Sequence, residues 1–368
     1  MARIELKDVS HSFEIAEGKE KLEWAVKDMN IVWEDGTANA LLGPSGCGKT
    51  TMLNIVSGLL TPSKGKVYID GKDVTELSTR ERHIAQVFQF PVIYDSMNVY
   101  SNLAFPLVNM KLPKLKIKEK VRKIAKILGL IDYLDTPTSK LNSAEKQKIS
   151  LGRGIVRDDT LAILLDEPLT VIDPKMRGKL RRQLKIIQRE LNITAIYVTH
   201  DQHEALTFAD KVAVVKAGRL VQIGSPHELY SNPESPFVGY FIGSPGMNIL
   251  DAKLKGQTLS LNGFKIELSK SITDKIGIEN SECQLGIRPE EIITNREKTT
   301  GTIPFEVAII ENMGSYKILT LVRKNGSDRN LRIKTRVDII TSYFKGDMVY
   351  LEFPEEYLKI FKDNHKIY

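Results

Sequence analysis

The feature that most constrains the fold is a glycine-rich segment that follows a short apolar run. Residues 43–51 read Gly-Pro-Ser-Gly-Cys-Gly-Lys-Thr-Thr, which fits the pattern G-x-x-x-x-G-K-[ST]. The apolar run Ala38–Leu42 before it predicts a buried strand, and residues 50–56 after it predict a helix. Glycines let the backbone wrap an anion with its N–H groups pointing inward, and the helix N-terminus adds partial positive charge. The segment therefore predicts a phosphate-binding loop on a parallel sheet.

Within this loop the residue types match the chemistry of a nucleotide and its metal ion. Lys49 would reach the β- and γ-phosphates, and the Thr50 hydroxyl would bind Mg²⁺. The combination of strand, lysine, threonine and helix favours nucleotide binding over a chance glycine-rich turn. The predicted contacts are the whole loop: Gly43, Pro44, Ser45, Gly46, Cys47, Gly48, Lys49, Thr50 and Thr51.

Polar side chains also follow three other apolar runs. Asp166 and Glu167 come after Leu161–Leu165, and they suit a Mg²⁺ ligand and a general base that polarises water. An acidic helix cap is the alternative interpretation of this pair. His200 follows the run 194–198, where it would be structural or would sense the γ-phosphate. Gln89 follows the run 84–88.

Composition and rhythm indicate two or three compact domains. The 368 residues are 42% hydrophobic, and no apolar run approaches the roughly 20 residues of a membrane-spanning helix. Strand-like and helical runs alternate over the first 240 residues, which is typical of an α/β domain. From about Asn248 short strands separated by Gly and Asn turns, as in 259–268 and 323–328, predict a β-rich barrel or sandwich. Two cysteines and a charged N-terminus without a secretory signal indicate the cytoplasm.

The net charge of +7 is confined to one segment. Residues 111–126 hold eight basic residues and one acid, Glu119, so this run alone carries the whole excess. Apolar residues at helical spacing between Ile117 and Leu130 would leave the lysines on the opposite face of a helix. That face is either simply solvated or attracted to anionic lipid headgroups.

In this order the segments resemble the ATP-binding cassette (ABC) ATPases. The resemblance implies that the loop is Walker A, that Asp166 and Glu167 form Walker B, that 169–173 is the D-loop and that His200 is the switch histidine. It further implies that Gln89 contacts the nucleotide and its metal ion, and that Phe13, rather than Trp24, stacks on adenine. The expected fold is an α/β P-loop ABC ATPase domain over 1–244, with a helical subdomain at about 90–160. A small OB-type C-terminal domain for regulation and dimer contact is expected over 245–368.

Other segments resemble the ATPases of sugar and polyol importers. These are 221–230, 241–248 and 285–290, while 89–97 and 146–154 are most similar to one of the paired ATPases of a bacterial glycerol importer. The resemblance implies ATP and Mg²⁺ as cofactors and a peripheral position on the cytoplasmic face of the inner membrane. It implies two permease subunits and, indirectly, a periplasmic or surface substrate-binding protein as partners.

One departure from the family pattern concerns the signature Leu-Ser-Gly-Gly-Gln, which closes over the γ-phosphate held by the partner subunit. This chain has Leu-Asn-Ser-Ala-Glu at 141–145, so Asn142, Ser143 and Glu145 would face that nucleotide. Side chains replace two glycines, and Glu145 adds a negative charge. We therefore expect a heterodimer with a paralogous ATPase whose signature is normal.

Two other functions compete with an importer ATPase. The altered signature suits a regulatory subunit that hydrolyses little ATP. A soluble ABC ATPase that acts on nucleic acid is the third possibility, but residues 245–368 hold 19 basic and 17 acidic residues, which does not favour nucleic acid as a partner.

Overall fold

The computed structural model describes residues 2–14, 23–261, 263–277, 280–323 and 331–368. The chain divides into two compact units, Met1–Pro226 and His227–Tyr368. The Asn262 turn and the segment 324–330, which the sequence marks as turns, lie outside the described residues. In the part of the chain that is described, no helix is both long and apolar enough to span a bilayer.

The first unit contains an antiparallel sheet with the strand order β2-β1-β4-β5. Its strands are β1 (Ile4–His11), β2 (Val26–Trp33), β4 (Lys64–Ile69) and β5 (Lys72–Asp73). The inward side chains of β1, β2 and β4 pack with α1 (Lys49–Ser57) in one apolar core that includes Leu6, Trp33 and Leu53.

A six-stranded sheet, β10-β9-β3-β8-β7-β6, carries the phosphate loop. The neighbouring strands from β9 to β6 pair in parallel, whereas β10 is antiparallel to β9. The central strands are buried along their whole length, which is typical of a sheet covered on both faces. The strands are β3 (Ala38–Leu42), β6 (Ile84–Val87), β7 (Ala162–Asp166), β8 (Thr194–Thr199), β9 (Lys211–Lys216) and β10 (Arg219–Gly224). The predicted strands therefore agree with the structure to within one or two residues.

Three helices lie between β6 and β7: α2 (Val99–Asn109), α3 (Lys114–Leu128) and α4 (Ser143–Ile155). Helix α3 buries Ile117, Val121, Ile124 and Leu128 and ends at Gly129, whose φ of +64° lies in the left-handed region. The predicted basic face is confirmed, because the lysines at 114, 116, 118, 123 and 126 are exposed. Leu115 lies on the same helix and is 84% exposed.

Helix α5 (Pro174–Leu191) follows β7 in the chain, and α6 (Gln202–Phe208) follows β8. Two short helices, α7 (Pro226–Ser231) and α8 (Pro236–Phe241), follow β10. Short 3₁₀ helices occur at Ile131–Tyr133 and Thr138–Lys140 in the first unit and at Glu355–Tyr357 in the second.

The second unit is β-rich, with two sheets ordered β13-β12-β11-β14-β20-β21 and β15-β19-β16-β17-β18. One continuous core includes residues of both sheets, among them Leu285, Phe305 and Leu351. The strands are β11 (Asn248–Lys255), β12 (Thr258–Leu261), β13 (Phe264–Glu267), β14 (Ser281–Ile287), β15 (Ile293–Asn295), β16 (Ile303–Asn312), β17 (Tyr316–Arg323), β18 (Leu331–Asp338), β19 (Met348–Glu352), β20 (Lys359–Lys362) and β21 (His365–Lys366), with α9 (Lys270–Ile276) between β13 and β14. The α/β unit and the β-rich unit confirm the predicted fold class.

Candidate active site

The phosphate loop runs from the buried end of β3 to the start of α1. Gly48 precedes α1 with φ +95°, and a Cβ there would lie 2.2 Å from the Ala25 carbonyl oxygen. A Cβ on Gly43 would lie 2.3 Å from the Val215 carbonyl oxygen. Both positions therefore need glycine, one for its backbone conformation as well as for space. Pro44, Ser45 and Gly46 at the loop tip are exposed.

Lys49 lies inside the curve of this loop and is only 5% exposed. Its ammonium donates to the carbonyl oxygens of Gly43 and Pro44, each at 2.8 Å. The loop thus encloses a buried positive charge at the N-terminus of a helix that has no acidic residue in its first turn. Cys47 is buried beside it, and burial raises the pKa of its thiol, so the side chain fills space as a neutral group.

The carboxyl end of β7 brings an acidic pair next to the loop. Asp166 Oδ1 lies 3.4 Å from the Thr50 hydroxyl oxygen. Burial, and then the neighbouring Glu167 carboxylate, raises the pKa of Asp166. A divalent cation would relieve that cost of ionisation, and hydroxyl and carboxylate oxygens are the ligands Mg²⁺ prefers. The residues at this position therefore fit a magnesium ion that is shared with bound phosphates.

Glu167 turns sharply away from the strand, with φ +45° in the left-handed region. Its N–H donates to the Val198 carbonyl oxygen at 3.0 Å, which ties this turn to β8. One carboxylate oxygen of Glu167 lies 3.0 Å from His200 Nδ1, and the other accepts from Thr170 at 3.2 Å. A strained backbone position held by three contacts thus fixes this carboxylate next to Asp166.

Gln89 lies just beyond β6 and is half-buried. The side chain of Gln147, on α4, donates to the Phe88 carbonyl oxygen at 3.1 Å and so connects α4 to this segment. Among the described residues no hydrogen bond joins Gln89 to Thr50 or Asp166, and its role as a metal ligand stays a prediction. Gln147 could not be assigned a role from the sequence, because a lone polar residue on a helix face carries no signal.

The altered signature forms the N-terminus of α4. Asn142 caps the helix: its side-chain oxygen accepts from the Glu145 N–H at 2.9 Å, and the Glu145 carboxylate accepts from the Asn142 N–H at 3.0 Å. This reciprocal capping box directs the Glu145 charge to its own helix end. Asn142 and Ser143 are exposed, and within the described part of the chain no hydrogen bond or ion pair links 142–145 to Lys49 or Glu167.

The predicted adenine-stacking residue Phe13 follows β1 of the antiparallel sheet. Its ring is 68% exposed and contacts His11 edge-on, with centroids 4.7 Å apart. Trp24 is half-buried, and the ammonium of Lys64 lies 5.4 Å from its ring centroid. An exposed aromatic face is available for a base at Phe13, whereas a cation already covers Trp24.

Comparisons with known proteins place this site in a family. The profile of a family described as ABC transporter matches residues 26–170, and one described as MalK OB fold domain matches 243–292. The trehalose/maltose import ATP-binding protein MalK of Thermococcus litoralis is 39% identical, over 86% of this chain and 91% of that protein. The sn-glycerol-3-phosphate import ATP-binding protein UgpC of Psychromonas ingrahamii is 38% identical, over 92% of this chain and 89% of that protein.

Solved structures show the same architecture for the first unit. CbiO1 of Clostridium perfringens, described as part of an ABC transporter complex, matches with a TM-score of 0.57 and 28% identity, covering 62% of this chain and 90% of that one. A dimeric ATP-binding cassette bound to ADP and Pi matches with a TM-score of 0.52 and 25% identity, covering 60% and 98% of the two chains. The chain therefore belongs to the ABC transporter family, among the import ATP-binding proteins, and is an ATPase that uses ATP with Mg²⁺.

Proposed function

We propose that this chain is the ATP-hydrolysing subunit that energises an importer for a sugar, a polyol or a polyol phosphate. The observation that carries the proposal is that Thr50 of the phosphate loop lies beside Asp166, whose neighbour Glu167 pairs with His200. Import ATP-binding proteins for trehalose/maltose and for sn-glycerol-3-phosphate, similar over most of their length, support the transport class. The chain would act at the cytoplasmic membrane face, bound to two permease subunits and served by a substrate-binding protein.

Each residue has a role that follows from its position. The loop N–H groups and Lys49 bind and orient the phosphates, while Thr50 and Asp166 would hold Mg²⁺. When bound, that ion neutralises phosphate charge and fixes the geometry of the terminal phosphate. Glu167 polarises the attacking water as general base. His200, now paired with Glu167, turns to the γ-phosphate when ATP fills the site.

The partner subunit in this proposal is a paralogue with an ordinary signature. Two sites form in a cassette dimer, each from one subunit's phosphate loop and the other's signature. In a homodimer both sites would receive the Glu145 carboxylate near the γ-phosphate. With a paralogue, the intact catalytic residues of this chain complete one good site, and its own altered signature forms the weak one.

The finer substrate assignment is glycerol or a closely related compound. Its support is the resemblance of 89–97 and 146–154 to one of the paired ATPases of a glycerol importer. Relatives that import disaccharides and glycerol phosphate are almost equally identical to this chain, at 39% and 38%. Uptake of labelled glycerol, glycerol 3-phosphate and maltose by cells with and without the gene discriminates between these substrates.

The test of hydrolysis is Glu167→Gln in the assembled importer, with Glu81→Gln as a control at an exposed carboxylate outside the site. We expect at least a hundredfold loss of ATPase activity and of transport only for Glu167→Gln, because a general base supplies about that factor or more. Unchanged transport would favour the regulatory alternative, to which the capping box at Asn142 and Glu145 lends weight. Robust cooperative ATPase activity of the purified chain alone would contradict the heterodimer.

A further inference from the structure

A buried carboxylate lies behind the site and takes no part in the proposed chemistry. Glu204, on α6, is 6% exposed. One of its oxygens, Oε2, accepts from the Tyr197 hydroxyl at 2.9 Å and from the Thr199 hydroxyl at 3.0 Å. Burying a carboxylate is costly unless hydrogen bonds compensate, so an apolar residue would suit this position better if packing were its only purpose.

The same contacts reach the backbone on both sides of His200. Thr199 uses its hydroxyl twice, since it donates to Glu204 and accepts from the Asp201 N–H at 3.0 Å. Asp201 in turn caps α6: its carboxylate accepts from the N–H groups of His203 at 2.7 Å and Glu204 at 3.3 Å. The three-residue turn 199–201 is therefore anchored to the strand and to the helix at once.

The front of this turn faces the catalytic carboxylate. His200 Nδ1 lies 3.0 Å from Glu167 Oε1, although half of the His200 side chain is exposed. The Glu167 backbone is itself hydrogen-bonded to Val198, which lies between Tyr197 and Thr199 on β8. The end of β8 thus positions both His200 and Glu167, and Glu204 accepts hydrogen bonds from Tyr197 and Thr199 at that same end.

We propose that Glu204, acting through Thr199, is a positioning residue that holds the turn 199–201, so that His200 lies beside Glu167 without nucleotide and reaches the γ-phosphate when ATP is bound. Without the anchor, the turn at 199–201 would sample other conformations, and His200 would leave its productive position part of the time. A displacement of about 1 Å in a catalytic group can cost a hundredfold in rate. The inference rests on the proposed roles of His200 and Glu167.

The experiment measures ATPase kinetics of the assembled importer with single and double variants. Thr199→Val keeps the shape and removes the shared hydroxyl, and Glu204→Met keeps the length and removes the acceptor. We expect each to lower kcat by about 10- to 100-fold with KM for ATP changed less than about threefold. Thr199→Ser retains the hydroxyl and should keep kcat close to that of the unchanged chain. Tyr197→Phe is the matched control, since it removes one hydrogen bond to Glu204 without touching the turn.

Double variants separate positioning from general stability. In a His200→Ala background, Thr199→Val and Glu204→Met should cause no further loss of kcat, because the group they position is gone. Additive losses of kcat in the double variants would overturn the positioning role of Glu204 while leaving the role of His200 intact. So would a fall in kcat that is proportional to the fall in melting temperature in both Tyr197→Phe and Glu204→Met. Full activity of His200→Ala itself would overturn both this inference and the role proposed for the histidine.

Discussion

Replacing Glu145 with glutamine tests whether the altered signature opposes closure over ATP. The substitution keeps the capping box, because a glutamine side-chain oxygen can accept from the Asn142 N–H as the carboxylate now does at 3.0 Å. The change therefore removes one negative charge and little else. Folding stability should fall by less than about 1 kcal/mol, the usual strength of a charge at a helix N-terminus.

The magnitude of the effect on closure follows from the capping geometry. A phosphate oxygen that approaches the exposed first turn of α4 would share the backbone N–H groups of that turn with the Glu145 carboxylate. Two hydrogen-bond lengths of about 3 Å place the two charges about 6 Å apart. At an effective dielectric of 20 their repulsion is about 2.8 kcal/mol. Screening over a Debye length of about 8 Å roughly halves it to about 1.4 kcal/mol. We thus expect about a tenfold effect.

The assay measures ATP-driven homodimer formation of the full chain by light scattering after size-exclusion chromatography. Both proteins also carry Glu167→Gln, so that ATP persists during the measurement. The ATP concentration at half-maximal dimer should fall about tenfold on Glu145→Gln at physiological salt, and the difference should shrink in 1 M salt. Glu81→Gln is the matched control, since Glu81 likewise accepts from the backbone N–H three residues earlier, at Ser78.

Two results would refute the electrostatic argument. An unchanged ATP midpoint would mean that the carboxylate does not face the partner's phosphate, and the Cβ atoms of Ser143 and Ala144 would then have to account for any poor closure. An equal shift with Glu81→Gln would indicate a general charge effect on association. Either result removes the main physical reason for expecting a heterodimer.

Three further predictions concern the loop, the acidic pair and the basic helix. Gly48→Ala should lower the free energy of unfolding by at least about 2 kcal/mol and weaken ATP binding, because a Cβ would lie 2.2 Å from the Ala25 carbonyl oxygen. Gly71 is also in the left-handed region but has open space around it, so Gly71→Ala should lower the free energy of unfolding by only about 1 kcal/mol. Asp166→Asn should raise the melting temperature without nucleotide at pH 7 while weakening Mg²⁺-dependent ATP binding. Because the pKa of Asp166 is raised in the folded chain, the ionised form is penalised at pH 7, and this gain in stability should vanish as the pH falls towards 3.8. If the basic face of α3 meets anionic headgroups, replacing four of its exposed lysines with glutamine should lower the affinity for anionic vesicles at least tenfold. The same replacement of four exposed lysines in the β-rich unit is the control and should leave the affinity unchanged. The test set is Lys116, Lys118, Lys123 and Lys126, and the control set is Lys253, Lys255, Lys265 and Lys270.

Much of the candidate site could be predicted because its signals are local. The loop at 43–51 needs glycines at fixed spacing before a helix, and the polar residues after β7 and β8 follow buried apolar runs. The orientation of Glu145 was also within reach, since Asn142-Ser-Ala-Glu145 fits the capping-box pattern. The Glu145 charge was expected to face a partner's nucleotide, whereas its carboxylate accepts from the N-terminus of its own helix.

Other parts depend on contacts between residues far apart in the chain. The left-handed backbone of Glu167 and its bond to Val198 arise from the pairing of β7 with β8. The link from Gln147 to the segment before Gln89 depends on how α4 packs near β6. No pattern in either segment alone encodes such a contact, since hydrogen bonding across the sheet is set by register and packing.

The phosphate loop, the buried parallel strands, the amphipathic basic helix and the residue types available for ATP chemistry can all be read from the chain without its structure. These follow from spacing, since backbone conformation and burial periodicity are properties of short segments. Which groups meet depends on the three-dimensional packing: His200 pairs with Glu167, and Glu204 accepts from Thr199 in the turn that carries His200. Those contacts join β7, β8 and α6, and a few ångströms of strand register or helix packing are enough to make or break them.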